Sequence, residues 1–119
     1  QWLPQAGAVA TRAPLLDLPA LHARYPANPG LVAELEAVFL STTEASLATL
    51  KRAIEQGDAE TCRKEAHALK GAAASVTATV IREGAARIEA RVKQGDLAGA
   101  ATELTALENI FGAYVLMPH

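Results

Sequence analysis

The sequence predicts an all-α fold, an antiparallel up-down four-helix bundle preceded by a short N-terminal helix or linker. Three observations point there. Apolar residues recur at three- and four-residue steps through long stretches after Pro29, and no segment alternates with period two for long enough to make a sheet. Two pairs, Gly57-Asp58 and Gly95-Asp96, interrupt that pattern in the way a helix stops and the next begins. Half the residues are apolar (50%) but only 4% are aromatic, and the abundant alanine favours helix and close helix approach.

The elements follow in order. Five of the six prolines (Pro4, Pro14, Pro19, Pro26 and Pro29) fall in the first quarter, so residues 1–16 read as a linker. Asp17 is placed to cap a short helix over 18–24, which ends before Tyr25-Pro26. The first long helix is expected from 29 or 30 to 56, with Leu31, Leu35, Val38, Phe39, Thr42, Ser46, Leu50 and Ala53 facing inward. The second, about 58–76, turns Cys62, Ala66, Leu69, Ala73 and Val76 to one side. The third, about 79–94, uses Val80, Ile81, Ala85, Ile88 and Val92, and the fourth, about 96–116, uses Leu97, Ala101, Leu104, Leu107, Phe111 and Tyr114. Residues 17–116 thus form one bundle domain, and short turns make it antiparallel.

Composition excludes several functions. A net charge of −2 argues against nucleic acid as a partner, since phosphate-backbone binding needs a cationic excess. Cys62 is the only cysteine, so no internal disulfide or multi-cysteine metal site can form. His22 and His119 show no metal-ligand spacing to His67, and no metal site is expected. No apolar run approaches the roughly 18 residues of a membrane span, and no signal-peptide pattern is present. No membrane contact and a cytoplasmic location are the expectations. The start on Gln1 rather than Met is expected of a piece of a longer protein.

His67 stands out within the second helix. At about 100° per residue it points about 140° away from the apolar stripe, toward solvent. Residues three and four positions away share its face: Arg63 and Lys64 upstream, Lys70 and Gly71 downstream, and Ala74 one turn further. Cations at such spacings mildly destabilise a helix, so helix stability does not explain them. They favour a neutral, nucleophilic imidazole and attract a phosphoryl group. Glu60, two turns away on the same face, tempers the field. Gly71 costs roughly 1 kcal/mol against alanine in a helix interior, yet no core packing calls for it on an exposed face. It clears space beside the imidazole. On the first long helix Leu40, Thr43, Leu47 and Ile54 lie off the inner stripe, with Leu47 expected near the level of His67. That strip either receives a partner's helix or packs within the bundle.

His67-Ala68-Leu69-Lys70-Gly71 resembles the H-x-L-K-G signature of histidine-containing phosphotransfer (HPt) domains. Phe39-Leu40, Leu50, Gly57-Asp58, Ala66, Ala78, Ile88-Glu89 and Gly95-Asp96 also fall at that family's helix and turn positions, over roughly residues 31–111. The chain departs from the pattern at Thr77, where the family often has glycine, and at Ala72 and Ser75, where polar residues and Asn are common.

The resemblance implies a phosphorelay carrier. His67 would accept a phosphoryl group from a receiver-domain aspartate, through Nε2, and pass it to another receiver. Lys70 would stabilise the phosphoryl oxygens and Gly71 would permit approach, with Arg63, Lys64, Ala74, Leu40 and Leu47 meeting the partner. The domain itself would need no cofactor, because the receiver supplies Mg²⁺. It would be a monomer without kinase activity of its own, part of a hybrid sensor kinase. The alternatives are the dimerisation-and-phosphoacceptor domain of a histidine kinase, a chemotaxis-kinase variant of the same fold, and a non-catalytic helical adaptor. The first is disfavoured because Ala68, not an acidic residue, follows the histidine, and no proline occurs between Pro29 and Pro118.

Overall fold

In a computed structural model, residues 16–116 are described. Of the linker expected over 1–16, all but Leu16 lies outside them, with Trp2, Pro4 and Pro14, as do the C-terminal Pro118 and His119. Among the described residues five helices follow one another: α1 (Leu18–Arg24), α2 (Pro29–Glu55), α3 (Ala59–Ser75), α4 (Thr79–Lys93) and α5 (Leu97–Leu116). The last four pack as a bundle, with α3 against α4 the most extensive contact.

Local chemistry sets the boundaries. Asn28 Oδ1 accepts from Leu31 N at 3.1 Å and Pro29 opens α2, where a missing N–H costs nothing. Gly57 takes a left-handed φ of 67°, and the Asp58 N–H returns to the Ala53 carbonyl at 2.8 Å, closing the helix end. Asp58 then starts α3, its Oδ1 accepting from Thr61 N. The same device recurs at Gly95 (φ 77°) and Asp96, whose Oδ1 accepts from Gly99 N at 2.7 Å. The junction between α3 and α4 has the same hydrogen bonding, Ala78 N to Ala73 O at 2.9 Å, but with Thr77 in the left-handed position at φ 58°.

That junction is tied down from outside. Asp17 N donates to Thr77 O, the Thr77 hydroxyl donates to Asp17 O (each 3.2 Å), and Arg24 Nη1 donates to the Ser75 carbonyl at 2.8 Å. Leu16 and Leu21 are fully buried. Hence α1 and the residue before Asp17 belong to the packed domain.

The core runs along the bundle axis and is built from small and aliphatic residues; Cys62, Ala66, Ala73, Ile81, Ala85, Ile88 and Ala100 are wholly inaccessible. Where α4 meets α5, a Cβ added to Gly84 would stand 2.7 Å from Leu107 Cδ1, so glycine permits the approach. Tyr114 donates to Glu36 at 2.6 Å, joining the ends of α5 and α2.

The expected inner stripe needs correction in the first half of α2. Buried there are Val32, Phe39, Thr43, Ser46, Leu47, Leu50 and Ala53. Val38 is 63% exposed, Thr42 is exposed, and Leu31 and Leu35 are half-buried. The true stripe keeps an unbroken three-and-four spacing from Phe39 through Ala53 by burying two hydroxyls. The expected stripe departs from it at Thr42, one residue or about 100° from Thr43, and agrees with it at Phe39, Ser46, Leu50 and Ala53. Likewise Ala100 is buried in place of Ala101, and Val80 and Leu97 are half-buried.

Candidate functional site

His67 sits mid-way along α3, its side chain 65% exposed. The apolar stripe behind it, Cys62, Ala66, Leu69 and Ala73, is buried as the sequence requires, and Val76 at the helix end is buried too. The imidazole is nonetheless fixed. Its Nδ1 lies 2.9 Å from Oε2 of Glu89, on the neighbouring α4. A carboxylate only accepts hydrogen bonds, so Nδ1 carries the ring proton and donates it. In the neutral ring this tautomer leaves the lone pair on Nε2, at the other edge.

Glu89 is a buried carboxylate, 6% exposed at the side chain, between two lysines. Lys70 Nζ donates to Oε1 at 2.7 Å, and Lys93 Nζ stands 3.6 Å from Oε2. The hydrogen bond from Lys70, then that with His67 and the charges of Lys70 and Lys93, hold its carboxyl at about 2 despite the opposing effect of burial. It therefore stays ionised and keeps its grip on Nδ1.

The three cations expected on this face each stand beside a carboxylate, with Glu60 tempering the field as expected. Arg63 makes a two-pronged contact with Glu60 (Nε to Oε1 3.2 Å, Nη2 to Oε2 3.1 Å), and Lys64 lies 3.7 Å from the same Glu60. Lys70 is held by Glu89. An uncompensated row of like charges on one face costs stability, and here each cation has an anionic neighbour. The face is a set of positioned ion pairs in place of a bare positive field.

Gly71 lies exposed within α3, and a Cβ there would meet nothing within 4 Å. Ala68 and Ala74 are likewise exposed, so a low surface flanks the imidazole. The strip on α2 is largely packed into the bundle. Leu47 is 5% exposed and Thr43 is fully buried, while Leu40 and Ile54 are half-buried and pack against the core. What remains open at Leu47 faces a groove of about 460 Å³ between α2 and α5, with Ala48, Lys51, Phe111 and Val115, and no residue of α3 lines it. Of the two readings of that strip, packing within the bundle describes Thr43 and Leu47.

Sequence reasoning did not single out Glu89 as a site residue. The available signal was its position: it flanks Ile88 and falls between Ala85 and Val92 on the α4 core stripe, where a carboxylate requires partners. Which partners depends on the register of α4 against α3.

A family model described as the Hpt domain matches residues 34–114 of the chain. No curated protein and no solved structure matches it.

Proposed function

Because the chain belongs to the Hpt domain family, and so to the phosphotransfer proteins of two-component signalling, we propose that it is a phosphocarrier that takes a phosphoryl group from a receiver-domain aspartate onto Nε2 of His67 and delivers it to another receiver. One observation carries this reading: Glu89 occupies Nδ1 at 2.9 Å, so the exposed ring presents its other nitrogen as the nucleophile.

In the step itself, the Nε2 lone pair attacks phosphorus in line with the aspartyl oxygen. The N–P bond forms as the P–O bond breaks, and the electron pair returns to the aspartate carboxylate. The ring needs no base, because its Nδ1 proton stays in place and the positive charge it acquires faces Glu89. Lys70 donates to Glu89 at rest and turns its N–H donors toward the phosphoryl oxygens as they arrive. Such transfers depend on positioning and electrostatics. The receiver brings Mg²⁺ and the aspartate, and this domain brings no cofactor.

The receiver docks over the low surface at Ala68, Gly71 and Ala74, with Arg63 and Lys64 at its edge and Leu40 as a flanking apolar contact. The domain acts as a monomer, as part of a hybrid sensor kinase in the cytoplasm. Among the described residues no helix is long and apolar enough to cross a membrane.

Incubation with a phosphorylated receiver and Mg²⁺ tests the reading. Acid-labile label is expected on the wild type and absent from His67→Gln. Failure of the wild type to label with a panel of receivers would overturn it.

A further inference from the structure

Lys93 has no part in the reading above, yet it stands at the same carboxylate. Its Nζ is 3.6 Å from Glu89 Oε2, the oxygen that also receives His67 Nδ1 at 2.9 Å, while Lys70 holds Oε1 at 2.7 Å. We propose that Lys93 is a second positioning cation of this site, one that takes over Glu89 when the phosphoryl group draws Lys70 away. The inference rests on the phosphocarrier reading of His67.

The argument is one of charge balance. A dianionic phosphoryl group on Nε2 competes with the single charge of Glu89 for Lys70. Glu89 is 6% exposed, and a buried carboxylate deprived of its cation is strongly disfavoured. Four groups face it: His67, Lys70 and Arg63 from α3, and Lys93 from its own helix. Arg63 is engaged by Glu60. Lys93 is 60% exposed and rests just outside hydrogen-bond distance, so a rotamer adjustment closes the gap. Lys70 can then turn outward while Glu89 stays charged and Nδ1 stays anchored. Lys93 is also the last residue of α4, where a cation offsets the helix dipole, but that role alone would affect stability and leave phosphorylation unchanged.

Phosphoramidate, a small donor whose ammonia leaves as the N–P bond forms, tests this without a receiver. Labelling rates are compared for wild type, Lys93→Gln, Lys93→Arg, Lys70→Gln and the Lys70→Gln/Lys93→Gln double variant, with thermal melts to verify folding. Lys93→Gln should label about tenfold more slowly and Lys93→Arg close to wild type; in the Lys70→Gln background, where Lys93 must hold Glu89 without Lys70, the Lys93 change should cost at least as much. Three results would each overturn the role of Lys93: wild-type labelling by Lys93→Gln, no rescue by arginine, or a Lys93 change without effect in the Lys70→Gln background. A wild type that takes no label on His67 is a different result, and it removes the phosphocarrier reading itself.

Discussion

Glu89 has its carboxyl held at about 2, below the ordinary 4.5, while buried. A carboxyl whose folded-state value is depressed contributes stability that is present above its unfolded value and lost as pH falls through the folded one. For Glu89 the window runs from about 4.5 down to about 2. Denaturant titrations at pH 6 and pH 3 should show the wild type losing more stability than Glu89→Gln; equal losses would mean the carboxylate is not held as described. Thr43 presents the opposite case. Its hydroxyl is buried without a hydrogen-bond partner among the described residues, so Thr43→Val keeps the shape and removes the desolvated group. A gain of about 1 kcal/mol in urea unfolding is expected, and a loss would show that the hydroxyl is satisfied. Gly71 connects residue chemistry to function. Alanine there meets no neighbour and should raise stability by roughly 1 kcal/mol through helix propensity. It should also slow transfer from a receiver, and transfer at the wild-type rate would remove the idea that glycine clears the approach.

At the scale of elements, the helices after residue 28 were legible because their ends are written in local chemistry. Gly57-Asp58 and Gly95-Asp96 each combine a left-handed closure with a side-chain cap, and the boundaries expected from them lie within a residue or two of those found. The face of α3 was legible too, since Cys62, Ala66, Leu69 and Ala73 leave His67 one direction to point. The upper half of α2 was not. Thr43 is buried where Thr42 was expected, and two adjacent threonines do not reveal which one the packing partner covers. Glu89 was hidden for a related reason: His67 and Lys70, which bond it, lie on another helix, 22 and 19 residues away in sequence. The α3–α4 junction has neither glycine nor a side-chain cap, and Thr77 holds its strained φ of 58° with help from Asp17 and Arg24. Arg24→Ala should therefore lower stability by about 1 kcal/mol although Arg24 is exposed, measured by thermal melt. No change would mean the clamp is not formed in solution.

For the whole molecule, the bundle serves as a rigid mount. The family match begins at residue 34, yet the core extends back to Leu16 and Leu21. Leu21→Ala should cost about 2–5 kcal/mol, as for other fully buried leucines, and a cost near zero would make α1 an appendage. The mount brings α3 and α4 together so that one ring nitrogen is occupied and the other is presented. The position of the phosphoryl group reports on this directly. NMR of ¹⁵N-histidine-labelled protein, phosphorylated by a charged receiver, should locate phosphorus on Nε2 of His67 with a proton retained on Nδ1. Phosphorus on Nδ1, or on any residue other than His67, would contradict the account.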